Sequence, residues 1–151
     1  MIYYGRNKPN TSLIQSYNQF VRTAVSGRLK YEDIISTHTL KIFETLKNEN
    51  DLWDANNPKS NLNYNSALID CIATNMQNKD LKTTFNALLS TNSMSTKLFG
   101  RPLMSNYRYA VSDKYLASYI AFDLFYAKLF NLDLSKVNDE EPEQRVDLSR
   151  T

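Results

Sequence analysis

Apolar residues recur along this chain at helical spacing, and they are densest in residues 114–132, KYLASYIAFDLFYAKLFNL. This run reads as one helix of about five turns. Lys114, Ala117, Ser118, Ala121 and Lys128 fall in one stripe, and nearly every other position is large and apolar. A helix apolar over most of its circumference is buried on most sides. The run approaches the length of a membrane span, about 20 apolar residues. Lys114, Asp123 and Lys128 interrupt it, however, and its tyrosines lie mid-helix rather than at its ends. A buried central helix is therefore predicted, with no membrane partner.

The rest of the chain supplies helices to pack around it. Leu13, Tyr17, Phe20, Val21 and Ala24 share a face and predict a helix over 12–25, closed by Gly27. A second helical region spans 31–47, with Ile34, Ile35, His38, Ile42 and Leu46 on one face. The run Ser36-Thr37-His38-Thr39 predicts a kink or break within it. Residues 48–60 read as a connection anchored by Trp53, with Pro58 just before the next helix. That helix is expected over 62–76 with a core stripe of Leu68, Cys71, Ile72 and Met76, and Asp70 on the other side. A fourth covers 80–89 through Leu81, Phe85, Leu88 and Leu89. Residues 90–103 read as a long polar loop punctuated by Gly100 and Pro102. Ser112 or Asp113 can cap the central helix.

The fold class that follows is all-α: an irregular bundle of five to six helices around a central, buried C-terminal helix. Residues 1–134 form one helical domain, and 135–151 an acidic, disordered tail. Residues 1–10 read as an extended arm docked by Ile2, Tyr3 and Tyr4. Three glycines and four prolines in 151 residues suit long helices better than a turn-rich β-fold. A chain this long buries a core without staples.

Charge divides the chain. Residues 1–112 carry 13 Lys/Arg against 8 Asp/Glu, and residues 113–151 carry 5 against 8. The body is mildly basic and the tail acidic, with Asp139, Glu140, Glu141 and Glu143 close together. The lone Cys71 excludes an intramolecular disulfide and any multi-cysteine zinc site, and is expected to be buried. The single histidine, His38, stands in no HExxH-like spacing and is expected to be half-buried, so no metal site is predicted. The N-terminal MIYYGRNKPN has no apolar h-region, and a cytosolic chain is expected.

Phosphate-cradling loops (GxxxxGKS, GxxxxGKT, GxGxxG) and the GxSxG elbow are missing from the sequence, and no catalytic set or cofactor site can be assembled. Two features carry chemistry. Asp123 sits among Leu116, Tyr119 and Phe130 on the apolar side of the central helix, where a carboxylate needs a partner or a proton. Arg101, Arg108 and the tyrosine hydroxyls are the candidate partners. Two roles stand open for it: a structural bond between helices, or an acid or base in a cleft. The second feature is the basic and aromatic cluster of Lys97, Phe99, Arg101, Tyr107, Arg108, Tyr109 and Lys114. Its residues can be consumed by the fold, with Tyr107 and Tyr109 packing the core and the arginines pairing with Asp123 or the tail; if they bind, a protein partner is the first expectation and the stacking and phosphate contacts of a nucleic-acid strand the alternative.

NSALIDCIATNM, KDLKTTFNALLSTNS and then Arg101 or Arg108 carry a resemblance. Over residues 64–108 the chain resembles the helical C-terminal region of modification-dependent restriction proteins, which join a ParB-like nucleotide-hydrolysing domain to an all-helical region. Tyr64-Asn65-Ser66-Ala67-Leu68 stands at the position of an FNxAL-like helix, and Thr91-Asn92-Ser93 followed by Arg101 at that of a helix ending in small polar residues. The family's DGQQR-type catalytic signature is missing; Gln144-Arg145 does not replace it. The resemblance implies a non-catalytic helical accessory domain in bacterial or phage defence or counter-defence.

Overall fold

The structure, a computed structural model, describes residues 10–136. The expected N-terminal arm and the acidic tail lie outside the described residues, apart from Asn10 at the one and Ser135 and Lys136 at the other. Six helical rods form the described part. They are α1 (Asn10–Val25), α2 (Thr37–Leu46), α3 (Ala67–Asn75), α4 (Lys79–Ser90), α5 (Thr96–Asn106) and a composite last rod. The last rod runs from α6 (Lys114–Tyr119) through a π-helical segment (Ile120–Tyr126) into α7 (Ala127–Leu129). No strand occurs among the described residues, and the all-α expectation holds.

Local chemistry explains the helix ends. Gly27 takes φ +79, and bonds from Gly27 to Ala24 and from Arg28 to Thr23 close α1. The predicted break at Ser36 is a capping box: its side chain accepts from the Thr39 N–H, and the Thr39 hydroxyl accepts from the Ser36 N–H. That break rotates the face expected for an unbroken helix. Phe43 becomes the buried residue of α2, and His38 is exposed rather than half-buried.

Three further expectations are corrected. Helix α3 starts at Ala67, not near 62, because residues 52–63 fold back on themselves. The bonds Asp54 N–H to Asn61 C=O and Asn63 N–H to Leu52 C=O, both 2.8 Å, pair Trp53 with Leu62. Pro58 therefore lies in this loop, and Ser66 caps α3. With that start the buried stripe of α3 is Ile69, Ile72, Ala73 and Met76, and Cys71 faces out. Trp53 does anchor the loop, its indole N–H donating to the Leu46 carbonyl at 2.8 Å.

The largest correction is α5, where a polar loop was expected. Ser95 caps this helix by accepting from Leu98 N–H. Phe99, Gly100 and Leu103 supply an inward face that four-residue spacing joins on one side. Gly100 sits at the crossing with α1, where an added Cβ would stand 2.5 Å from Val25 Cγ1. Pro102 is tolerated inside the helix at the loss of one bond toward the Leu98 carbonyl, beside a side chain that is 52% exposed. Asn106 then leaves helical geometry and donates its carboxamide to the Pro102 carbonyl at 2.8 Å.

The core closes on the last rod. Phe85 of α4, Phe99 of α5 and Tyr119 of α6 meet edge to face, with centroids 5.0, 5.1 and 5.3 Å apart. Leu116, Ile120, Leu124, Ala127 and Leu129 are buried around them. Lys114 is exposed, and Ala117, Ser118, Ala121 and Lys128 are half-buried, along the predicted outward stripe. No helix among the described residues is long and apolar enough to cross a membrane.

Phe99→Ala should cost about 3–5 kcal/mol in a urea unfolding curve, while Leu98→Ala stays within about 0.5 kcal/mol. Equal effects would show that α5 is turned the other way. Gly100→Ala should cost about 1–3 kcal/mol by overpacking, and adding Val25→Ala should recover part of that loss. Additive losses in the double variant would rule out the α1–α5 contact.

Candidate functional site

Asp123 has no solvent exposure, and its partners are three hydroxyls. Ser60 donates to one carboxylate oxygen at 2.6 Å. Tyr64 and Tyr119 donate to the other at 2.9 and 2.8 Å. Tyr119 lies four residues earlier on the same rod, whereas Ser60 and Tyr64 come from the loop before α3. The Ser60 hydroxyl also accepts from the Leu62 N–H at 3.0 Å, which fixes its orientation. Of the partners read from the sequence, the tyrosines are found; Arg101 and Arg108 are exposed instead.

The π-helical segment is part of this arrangement. The Ala127 N–H reaches back five residues to the Phe122 carbonyl, which widens the turn. Side-chain donors from elsewhere meet carbonyls of the same stretch. The Tyr31 hydroxyl bonds Leu124 C=O at 2.6 Å, and the Asn61 carboxamide bonds Ala127 C=O at 3.0 Å. Loop and rod are thus stitched together by side chains of Ser60, Asn61 and Tyr64, and Tyr31 ties the turn before α2 to the same rod.

The electrostatics follow from burial. Desolvation lifts the Asp123 carboxyl above its ordinary 3.8, against the three hydroxyl bonds and the more distant Lys128 charge, which pull it down. Tyr64 and Tyr119 are pushed up first by burial and then by the negative Asp123. Asp123 and Tyr119 are closed off from solvent, whereas Tyr64 is half-buried and reaches the surface. Among the described residues, no three His, Cys, Asp or Glu side chains converge as metal ligands.

The predicted binding cluster is divided by α5. Phe99 is fully buried between Phe85 and Tyr119 and leaves the binding set. Tyr107 is half-buried against the core. Lys97, Arg101, Arg108, Tyr109 and Lys114 remain exposed. Sequence reasoning missed two exposed apolar neighbours, Leu98 at 52% and Val111 at 37%, beside Tyr109 at 44%. Helical periodicity through Phe99 and Leu103 would have placed Leu98 outside, had the helix been recognised. Arg108 lies 6.0 Å over the Tyr107 ring and Lys114 5.4 Å over Tyr115. Among the described residues none of the four cations is in an ion pair. The carboxylate nearest in sequence, Asp113, is buried. It accepts four backbone N–H groups, from Tyr115 and Leu116 on its own rod and from Gln77 and Asn78 before α4.

A cleft of about 310 Å³ opens between the 54–65 loop and the turn after α4. Tyr64 forms part of its wall, with Leu89 and Met94 as apolar neighbours. The carboxamides of Asn56, Asn65 and Asn92 border it, and none of the three has a hydrogen-bond partner among the described residues. The sequence carried no signal for this cleft, because its walls come from segments about thirty residues apart. No protein-family model, curated protein or solved structure matches the chain.

The raised Asp123 carboxyl has a signed consequence. Between 3.8 and its folded value, the folded state binds the proton more tightly than the unfolded chain does. Its contribution to stability therefore falls as pH rises through that window and is flat above it. The stability of the wild type minus that of Asp123→Asn should fall with rising pH, measured by urea unfolding across the acidic range. A difference that rises with pH would mean that the hydroxyl bonds outweigh desolvation. Tyr119→Phe should cost about 1–3 kcal/mol and move the window upward, because one stabilising donor is gone.

Proposed function

We propose that this chain is a non-catalytic helical interaction domain that binds a protein partner through the face running from Lys97 to Lys114. One observation carries the reading. Leu98, Tyr109 and Val111 are exposed in a single stretch together with Lys97, Arg101, Arg108 and Lys114, and no exposed carboxylate lies within that stretch. Tyr, Arg and large apolar groups are enriched where proteins meet, with lysines at the rim. Asp123 and Tyr119 are buried and bonded to each other, with Ser60 and Tyr64 completing the set, which suits a scaffold for that face. The resemblance of residues 64–108 to the helical region of restriction proteins supports a role in bacterial or phage defence or counter-defence.

A nucleic-acid strand is the second reading. It is favoured by four cations with no ion pair among the described residues and by the exposed Tyr109 ring. The burial of Phe99 removes one of the aromatics it would use. At most about four phosphate contacts are on offer, and binding would weaken with salt accordingly.

Affinity purification from native cells, with wild type and a Leu98→Asp, Tyr109→Ala double variant, tests the first reading. A partner retained by wild type and lost by the variant, at unchanged thermal melting, is the expected result. Fluorescence anisotropy against single- and double-stranded DNA and RNA at two salt concentrations tests the second. No salt-sensitive binding is expected. Tight binding abolished by Arg101→Ala with Arg108→Ala would replace the first reading with the second.

A further inference from the structure

The face from Lys97 to Lys114 carries positive charge that no ion pair among the described residues answers. Residues 81–112 contain no Asp or Glu at all. Asp113, which follows them, is buried and spends its carboxylate on four backbone N–H groups. Cations elsewhere have acids close by: Lys47 pairs with Glu44 at 3.3 Å, and Lys59 borders the same cleft as Asp54. Apolar groups lie among the uncompensated charges, since Leu98, Tyr109 and Val111 are exposed in the same stretch.

The chain itself carries the complement. Residues 137–151 follow Lys136, outside the described residues, and hold Asp139, Glu140, Glu141, Glu143 and Asp147 against Arg145 and Arg150. Val146 and Leu148 stand two apart, the spacing that puts both on one side of an extended segment. Acids followed by an apolar pair thus match cations interspersed with Leu98, Tyr109 and Val111. Reach is sufficient. The Phe99 ring lies 5.1 Å from that of Tyr119, so α5 meets the last rod ten residues before Leu129, a rise of about 15 Å. The fifteen residues after Lys136 span up to about 50 Å when extended, and the acids from Asp139 to Glu143 fall about 10–25 Å along them. Residues 1–9 are the wrong occupant, because they hold Arg6 and Lys8 and no acid.

We propose that residues 137–151 dock on the Lys97–Lys114 face of their own chain and cover it until a partner displaces them. Single pairs between exposed charges are weak. Tethering offsets this, because a short linker holds the acids near the cations at an effective concentration in the millimolar range. The contact selects as well as covers: a partner must present more acidic or better-packed apolar surface than the tail does. The docking itself needs no partner. Only its role as a cover rests on the reading of this face as a protein-binding surface.

The test is NMR on the full chain carrying Cys71→Ser, with a nitroxide on the thiol of Gln144→Cys. Cys71 is exposed, so its replacement leaves the core untouched. The expected result is broadening of the amide signals of Lys97, Leu98, Arg101 and Arg108, at least about threefold weaker at high salt, where exposed charges are screened. The same loss is expected when Asp139, Glu140, Glu141 and Glu143 are changed together to their amides, and separately in Lys97→Glu with Arg101→Glu. Both lysine and arginine side chains are exposed, and circular dichroism melting checks that each variant is folded. A fluorescent peptide of residues 137–148 should bind the amide variant at least about twofold more tightly than wild type, because the tethered competitor is gone. Equal or weaker binding would overturn the cover. Broadening centred outside residues 97–114, indifferent to salt and to the substitutions, or missing altogether, would overturn the docking. So would broadening passed from a nitroxide-bearing chain to a separate isotope-labelled one, which would assign the contact to a second copy. The partner reading is judged by the purification alone, so either proposal can fail without the other.

Discussion

A carboxylate removed from water has to be met by donors, and Asp123 is met by three hydroxyls from two distant parts of the chain. That requirement organises the C-terminal half of the fold. It pins the loop carrying Ser60 and Tyr64 onto the last rod, and with it the wall of the cleft. It also fixes Tyr119, whose ring stacks edge-on with Phe85 and Phe99 while its hydroxyl reaches Asp123. One side chain thereby joins the polar knot to the apolar core. Removing the carboxylate's partners would leave a buried charge short of hydrogen bonds, the costliest defect available to such a core.

The π-helical turn is the backbone counterpart of the same knot. A widened turn departs from the regular bonding ladder, and here side chains of Tyr31 and Asn61 bond carbonyls of the rod. Such turns recur at functional positions in proteins. In this chain most of the turn is interior: Ile120, Asp123, Leu124 and Phe125 are buried, and the side chains that meet it come from the core side of the loop and from Tyr31. α5 shows the complementary division. Its inner face, Phe99, Gly100 and Leu103, belongs to the core, while Lys97, Leu98 and Arg101 belong to the surface.

Particular elements show how far the pattern of residues could be followed. The heavy apolar run at 114–132 announced its own burial, and the Ser-Thr-His-Thr run announced a break, because both are signals over one or two helical turns. α5 was hidden for the same local reason. Gly100 and Pro102 argue for a loop when read alone, and only the closeness of Val25 makes a glycine at that point a packing residue. His38 and Cys71 were placed on inner faces at the edges of the apolar stripes, and the packing instead chose Phe43 in α2 and Ile69, Ile72 and Ala73 in α3.

The sequence by itself determined the all-helical class, the central rod, the anomaly of Asp123 and the basic character of residues 97–114. Periodicity, composition and charge are properties of neighbours in the chain, and those conclusions need nothing more. Tertiary structure alone decided which donors meet Asp123, which aromatics of the cluster are buried, and that the 54–65 loop and the end of α4 border one cleft. Each of these is a meeting between segments far apart in the chain. The free energy of such meetings lies in packing and desolvation across the fold, which no local pattern encodes.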